Sequence, residues 1–276
     1  MQSELHILAL PKLRVSHAKA AQKINETSHY ETLFLMFPRG IEEPVKTLAE
    51  GLPYEYVISE IRRKRLIPEP FKAWEYYAEP ILKMLYETKK QNPNLNIYCY
   101  GSTAYENIST ETATKIAVLT LRVLATGKVD VKRWKEVLIE ELKFSLEASE
   151  EEAEFVLSVA KRYRRNLCIS SLSGKKLKDK VAEEKEGKIR VKLEYVNVPY
   201  QLTPLETLKN ELLKELKGET LLTDEVVEKI VRCHVDYVKK YILLSSNPDD
   251  AYFRWVSRES KKLEDIVGKD KTVFSG

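Results

Sequence analysis

Polar and basic side chains cluster at four points of the sequence where a short apolar run gives way to a helical pattern. The four segments are PKLRVSH (11–17), FPRG (37–40), YGSTAYEN (100–107) and SSLSGKK (170–176). Arginines, hydroxyl groups and the first turns of helices are groups that bind anions in proteins. The sequence therefore predicts an anion-binding pocket. Its candidate residues are Arg14, His17, Arg39, Tyr100, Ser102, Ser171, Ser173 and Lys175.

The same segments are poor in the residues that catalysis requires. They hold few carboxylates, which disfavours a paired acid and base. The chain has no GxSxG nucleophile elbow and no Walker A or GxGxxG phosphate loop. Its three cysteines lie far apart without CxxC spacing, and Cys99 and Cys168 fall in apolar runs that favour buried free thiols. We therefore predict no catalytic residue, no metal ligand and no cofactor.

Short apolar runs that alternate with helical patterns must position these side chains. Five runs predict strands, at 5–11, 32–38, 95–101, 166–171 and 187–199. A continuous apolar run suits a strand buried on both faces of a parallel sheet, whereas 187–199 alternates and predicts a half-exposed edge strand. The expected fold class is α/β, with a mostly parallel sheet of about five strands flanked by helices. In such sheets, ligands bind at the carboxyl ends of the strands.

Helical patterns extend beyond this sheet. The stretch 109–164 predicts helices that break at Gly127 and again at Ser149, where Ser149 and Glu152 fit a capping box. An earlier helix is expected to begin with Ser16 as its N-cap. We predict an α/β core over residues 1–200, with a helical insertion at about 109–164, and a C-terminal helical region over 201–276 that packs on the core.

Composition favours a heat-stable protein. The chain of 276 residues holds 34 glutamates and 8 aspartates, with abundant lysine but only three cysteines and three methionines. This enrichment is typical of hyperthermophiles and favours an archaeal source or an archaeal virus. We expect no secretion signal, because the start MQSELHILAL lacks a basic region and a long apolar stretch, and no run reaches about 20 apolar residues. We therefore expect a soluble protein of the cytoplasm, or of a virion if the source is viral.

Two basic clusters raise the alternative of nucleic-acid binding. RRKR (62–65) and KRYRR (161–165) would place Arg62 with Arg65, and Arg162 with Arg165, on shared helix faces. The net charge is only +4 and is spread along the chain, which disfavours nucleic acid as a partner.

The C-terminal third favours self-association. The helix expected over 223–244 carries apolar residues on more than one face, and Tyr252, Phe253 and Trp255 follow within four residues. Aromatics spaced in this way on a helix cannot all face one core, and aromatics are enriched at the centres of interfaces. We predict a homo-oligomer, most simply a dimer or tetramer, with an exposed Trp255 in its contact surface.

Two stretches of the sequence resemble the TraB/ChaN/erythromycin-esterase-like group. LHILALPKLRVSHAKAAQKI, followed by YETLFLMFPRGIEEPVKTL, is similar to the opening of that group. There, a first strand ends near a histidine and a second strand ends in a glutamate. EEEAEFVLSVAKRYRRNLCISSLSGKKLKDKVAEE is similar to the group's late segment, which has an acidic helix, a strand, and a turn with glycine and histidine.

This chain differs from that group at the positions that carry its chemistry. His17 corresponds to the first histidine but comes several residues after the strand. Arg39 stands where the group has its glutamate, and Ser171 and Ser173 stand where a histidine is expected. The resemblance, over roughly 5–51 and 150–200, therefore implies a member without the group's metal or acid/base machinery.

Three functions stay open on the sequence alone. The first is a non-enzymatic, thermostable interaction or structural protein that self-associates, with an anion-binding pocket at the strand ends. The second is a hydrolase of the resembled group with an altered active site. The third is a nucleic-acid-binding protein that uses its basic helix faces. Convergence of the polar residues in one pocket would favour ligand binding or catalysis, and a scattered arrangement would favour a structural role.

Overall fold

The chain forms two compact units. The computed structural model describes residues 3–26, 29–183 and 189–275. The first unit comprises Met1–Asn107 and Leu146–Asn197, and the second comprises Ile108–Ser145 and Val198–Gly276. The stretch expected as a helical insertion is thus divided, and residues 108–145 group with the C-terminal region. The packing of that region on the core stays a prediction.

The first unit is built on a five-stranded parallel sheet. Its strands are β1 (Ser3–Leu10), β2 (Thr32–Pro38), β3 (Asn96–Gly101), β4 (Arg165–Ser171) and β5 (Ile189–Tyr195). They lie in the order β3-β2-β4-β1-β5. The central strands β1, β2 and β4 are largely buried and place apolar side chains on both faces of the sheet. The alternating strand β5 lies at one edge and is half exposed, as predicted.

Helices cover both faces of this sheet. Helices α1 (Arg14–Asn25), α2 (Glu42–Ala49), α3 (Tyr54–Arg63) and α4 (Phe71–Gln91) bury apolar side chains with Leu8 and Leu10 of β1 on one face. The last turns of α6 (Val131–Ala160) and α7 (Gly174–Glu183) pack with Leu5 and Ile7 on the other face. Alternate residues of β1 therefore enter opposite cores, as the two-residue period of a strand requires. The predicted α/β fold class is confirmed.

The second unit is mainly helical. Parts of α5 (Thr103–Thr126) and α6 belong to it, together with α8 (Pro204–Leu216), α9 (Asp224–Lys240), α10 (Pro248–Arg258) and α11 (Ser260–Val267). Thr203 and Glu206 form a capping box at the start of α8. A short antiparallel pair, β6 (Tyr200–Gln201) and β7 (Val273–Phe274), was not expected from the sequence.

Three local expectations are wrong. Helix α6 runs unbroken through Ser149, so the break and the capping box predicted there do not form. Helix α1 begins at Arg14, and the buried Ser16 hydroxyl accepts a hydrogen bond from the Asn197 side chain instead of capping the helix. Trp255 is buried with Tyr252, three residues before it on the same helix face, and Phe253 is exposed instead.

Cys99 and Cys168 are fully buried free thiols, as predicted. Burial raises the pKa of the Cys168 thiol to about 12, so this group is inert at neutral pH. Within the described part of the chain, no group of three or more His, Cys, Asp or Glu residues could hold a metal ion. No helix over the same residues is long and apolar enough to cross a membrane.

Candidate functional site

The carboxyl ends of β3, β2 and β4 are neighbours in the sheet. Three of the predicted residues lie there, because Arg39 follows β2, Ser102 follows β3 and Ser171 ends β4. Glycine at 101 allows β3 to end close to β2, since a Cβ at that position would lie 2.9 Å from the carbonyl oxygen of Phe37. The strand order thus places these three segments side by side at one edge of the sheet.

A turn of serines joins β4 to α7. The Ser171 and Ser173 hydroxyl oxygens lie 2.6 Å apart, and the Ser173 backbone N–H donates to the Ser171 hydroxyl oxygen. Helix α7 then begins at Gly174, where a Cβ would lie 3.1 Å from the Cβ of Ala9 and 3.2 Å from a methyl of Ile7. The first turn of α7 therefore lies directly against β1, and only glycine fits at position 174 without displacing these atoms.

Glu152 of α6 faces this turn. Its Oε1 accepts a hydrogen bond of 2.8 Å from the backbone N–H of Ser102. Burial raises the pKa of the Glu152 carboxyl, and the Ser102 N–H and the Arg39 guanidinium offset part of that increase. The capping pattern predicted Glu152 at a helix start, and its role in this site was not predicted from the sequence. The available signal was its position four residues before the buried Val156, on the inward face of α6.

These groups enclose a small cavity of about 40 Å³. Its volume exceeds the roughly 10–15 Å³ that a single water molecule needs. The cavity is hereafter the serine pocket. It is lined by Met36, Tyr100, Ser149, Glu152, Ala153, Ser170, Ser171, Ser173, Lys176 and Leu177.

Five of the eight predicted pocket residues lie in or beside the serine pocket, namely Arg39, Tyr100, Ser102, Ser171 and Ser173. Tyr100 forms part of its wall, but its hydroxyl donates to the carbonyl oxygen of Ile169, and burial raises the pKa of that hydroxyl. Arg39 is beside the pocket, where its guanidinium stacks 4.5 Å from the centre of the Phe155 ring. Arg39 therefore contributes positive charge near the pocket, whereas Tyr100 contributes to the shape of the pocket wall.

The structure does not bring the other predicted residues to this pocket. Arg14 forms an ion pair of 2.5 Å with Glu79 and donates to the carbonyl oxygen of Tyr76. The His17 Nδ1–H donates to the carbonyl oxygen of Leu13, one turn earlier in the chain. Lys175 is exposed, and the next residue, Lys176, supplies the lysine that lines the pocket.

The basic pairs do not share helix faces, which corrects the basis for predicting a nucleic-acid surface. Helix α3 ends at Arg63, and Arg65 follows it with a φ of +52°. The Arg62 guanidinium lies over the Phe71 ring. Helix α6 ends at Ala160, so Arg162 lies in a turn and Arg165 is the first residue of β4. Helical spacing does not apply to either pair.

A larger groove runs along β1 and β5 on the side of α1. Its volume is about 650 Å³, within the range of roughly 300–1,000 Å³ that is usual for ligand sites. The groove, hereafter the His6 groove, is lined by Glu4, Leu5, His6, Leu8, Lys23, Glu26, His29, Tyr30, Arg165, Arg190, Val191, Lys192 and Glu194.

A chain of hydrogen bonds crosses the His6 groove. The Tyr30 hydroxyl lies 2.7 Å from His6 Nδ1, and His6 Nε2 lies 3.1 Å from Glu194 Oε2. Lys23 and Lys192 both form ion pairs with Glu194. The Lys23 contact and that of Lys192 lower the pKa of Glu194 to about 2. Burial, followed by the Lys192 charge, lowers the pKa of His6.

The His6 groove was not predicted from the sequence. The signal was a histidine within the apolar run of β1, paired in register with the charged face of β5. His6 lies opposite Lys192, and Glu194 follows two residues later on the same face. That pairing is visible only once β5 is known to lie beside β1.

The second unit exposes a cluster of apolar side chains after α9. Residues Ile242–Leu244 form a 3-10 turn in which Leu243 is 66 % and Leu244 is 68 % exposed. Helix α10 contacts this turn, and its Phe253 is 49 % exposed. The cluster of Ile242, Leu243, Leu244 and Phe253 is hereafter the C-terminal apolar surface.

No family model matches this chain, and no curated protein or solved structure matches it either.

Proposed function

We propose that this chain is an interaction protein that binds a small oxyanion in the serine pocket and self-associates through its second unit. One observation carries the first part of the proposal. The Ser171 and Ser173 hydroxyls, the start of α7 and the Lys176 side chain surround a single small cavity at the carboxyl edge of a parallel sheet. Ligands of doubly wound sheets bind at this edge.

The first turn of α7 supplies favourable electrostatics for an anion. Backbone N–H groups in the first turn of a helix have no carbonyl partner within the helix, and the helix dipole adds partial positive charge there. In α7, the Lys176 amide donates to the carbonyl oxygen of Ser173, while its side chain lines the pocket. The close packing at Gly174 holds this turn against the sheet.

Glu152 makes the proposed binding dependent on pH. An ionised carboxylate repels an anion, whereas a protonated carboxyl donates a hydrogen bond to it. Since burial raises the pKa of Glu152, protonation upon anion binding requires less free energy here than at an exposed glutamate. We therefore expect the affinity for the anion to increase as the pH falls toward the pKa of Glu152.

Binding is favoured over catalysis at this pocket. The two serine hydroxyls bond to each other, and none of the ten described residues that line the cavity is a histidine that could activate them. The resembled hydrolase group stays a prediction, as does nucleic-acid binding, whose expected helix faces are absent.

Thermal and chemical unfolding with inorganic phosphate tests anion binding. A ligand that binds only the folded chain stabilises it by about 2.7 kcal/mol at 100 times its Kd. Lys176→Gln should abolish the stabilisation. Lys175→Gln is the matched control, because it removes the same charge from the neighbouring exposed position. Equal stabilisation by sodium chloride at matched ionic strength, or equal loss in both variants, would refute the proposal.

The C-terminal apolar surface supports self-association. Exposed leucines and a phenylalanine on adjoining elements favour burial against another protein surface, and closed symmetry makes a dimer or tetramer the simplest assembly. Light scattering should give a mass above the 32.0 kDa of one chain at micromolar concentration. Leu243→Glu should return it to the monomer, whereas Leu221→Glu, a control at another exposed leucine, should not. A monomer at all concentrations would contradict this part of the proposal.

A further inference from the structure

The hydrogen-bond chain in the His6 groove fixes the position of each proton. Glu194 is ionised at neutral pH and can only accept, so His6 Nε2 carries the hydrogen. His6 is neutral because burial lowers its pKa, which leaves Nδ1 with a free lone pair. The Tyr30 hydroxyl must therefore donate to His6 Nδ1 across 2.7 Å. A hydroxyl, an imidazole and a carboxylate in this sequence form the arrangement that activates a nucleophile.

The surroundings of this chain indicate the charge of the reacting partner. Four cationic side chains line the groove, namely Lys23, Arg165, Arg190 and Lys192, against three carboxylates, Glu4, Glu26 and Glu194. Lys23 and Lys192 pair with Glu194, and Arg190 lies 3.9 Å from Glu4. Arg165 at the start of β4 is the cation most available to a ligand, and arginine binds phosphate through two parallel hydrogen bonds.

We propose that Tyr30, His6 and Glu194 form a nucleophilic site in which the Tyr30 hydroxyl attacks a phosphate ester held in the His6 groove. The site is separate from the serine pocket and goes beyond the function proposed for it. In the step, Tyr30 Oη forms a bond to phosphorus and its proton moves to His6 Nδ1. The bond from phosphorus to the ester oxygen, which lies in line with the new bond, breaks with its electron pair, and that oxygen takes a proton from the solvent. Glu194 stabilises the His6 imidazolium until it returns the proton of Tyr30 to the solvent.

The nucleophilicity of Tyr30 can be measured with an arylsulfonyl fluoride, which presents a tetrahedral electrophile. Tyr30 Oη forms a bond to sulfur, fluoride leaves, and His6 accepts the proton. The probe is 4-(fluorosulfonyl)benzoate, and mass spectrometry of peptides gives the rate at each tyrosine. Tyr54 is the internal control, because its hydroxyl donates to the carboxylate of Glu75 without a histidine.

The pH dependence of the rate in the unmodified chain distinguishes the two mechanisms. An unassisted tyrosine reacts as the phenolate, so its rate rises about tenfold per pH unit below a pKa of about 10. Tyr30 assisted by neutral His6 should instead react at a constant rate between about pH 7 and 8.5. Its rate should fall at lower pH as His6, which faces Tyr30, Glu194, Lys192 and Lys23, becomes protonated. A tenfold rise per unit at Tyr30, parallel to that of Tyr54, would overturn the proposal.

Substitutions test the same site independently. His6→Gln should slow the labelling of Tyr30 about 100-fold, the lower range of general-base catalysis. Glu75→Gln, the matched control, should leave that rate unchanged.

The neutral benzenesulfonyl fluoride should label Tyr30 more slowly than the anionic probe, and Arg165→Gln should remove the difference. Unchanged labelling in His6→Gln would assign the hydrogen-bond chain a structural role, and equal rates for the two probes would refute the anionic substrate. If His6→Gln does not fold, the pH profile decides alone.

Discussion

Protonation of His234 should destabilise the second unit at mildly acidic pH. His234 lies on the inner face of α9, with its ring 5.7 Å from the centre of the Trp134 ring. Its Nδ1 has no hydrogen-bond partner among the described residues. Burial alone lowers the pKa of His234 from its usual 6.5 to about 4. The folded chain therefore keeps this imidazole neutral at a pH where the unfolded chain binds a proton.

The size of the effect follows from the difference between the two pKa values. Since the folded pKa lies below the unfolded one, stability is fully present above pH 6.5 and decreases as the pH falls. At about 1.4 kcal/mol per pKa unit, the loss reaches about 2 kcal/mol at pH 5 and about 3 kcal/mol at pH 4. This is a large share of the roughly 5–15 kcal/mol that stabilises a typical domain.

The measurement compares His234→Phe with the unsubstituted histidine by urea unfolding from pH 7.5 to 4. Phenylalanine keeps a ring against Trp134 but cannot take a proton. Both proteins also carry Trp74→Phe, which leaves Trp134 and Trp255 as the remaining tryptophans, so fluorescence reports on the second unit. We expect the difference in unfolding free energy between the two variants to change by about 2 kcal/mol between pH 7.5 and 5, in favour of His234→Phe at the lower pH. His29→Gln, at an exposed histidine, should show no such change. A difference that does not vary with pH would refute the reasoning.

Three further substitutions test the local structure. Gly174→Ala should cost about 1–3 kcal/mol in unfolding free energy and weaken phosphate binding, because the new Cβ would meet Ala9 and Ile7 at 3.1–3.2 Å. Thr203→Ala should lower the stability of the second unit by about 1 kcal/mol in urea unfolding, and Thr203→Ser should retain the cap. Glu152→Gln should make the affinity for sulfate, which keeps the same charge from pH 5 to 8, independent of pH in calorimetry, since the titrating carboxyl is removed.

Strands were predictable from the sequence where burial alone determines the pattern of apolar and polar residues. The run TLFLMF in β2 is apolar on both sides because helices cover both faces of the sheet, and the alternation in β5 reflects its position at the edge. The break predicted at Ser149 failed for a physical reason. The capping residues favour a helix start, but Ala148, Ala153 and Val156 bury the face of a continuous helix on both sides of Ser149. Burial of that face outweighs a local capping preference.

The prediction for the two basic pairs failed because each helix ends before the second arginine of the pair. Lys64 closes α3, and Arg65 adopts a left-handed conformation that no helix interior contains. The pattern RRKR is compatible with a helix or with its end. Only the packing of Ile61 and Ile67 in the core determines where the chain turns.

The residues of the two sites were the least predictable part of the structure. The order of the strands in the sheet determines which residues become their neighbours. Ser102 and Glu152 are 50 residues apart, and His6 and Glu194 are 188 residues apart. Apolar runs predict that strands exist but leave their order open. The placement of β4 between β1 and β2 is the feature that gives both sites their neighbours.

The same strand also keeps the two sites apart. Ser171 ends β4 at the serine pocket, and Arg165 begins it at the His6 groove. Seven residues of a parallel strand span about 20 Å, which is longer than a phosphate ion or an arylsulfonyl group. One small ligand therefore cannot bridge both sites. Lys176→Gln should remove phosphate stabilisation without changing the labelling rate of Tyr30, whereas His6→Gln should slow labelling and leave the effect of Lys176 on stability intact. If either substitution changed both measurements equally, a general loss of folding would explain the results better than two separate sites.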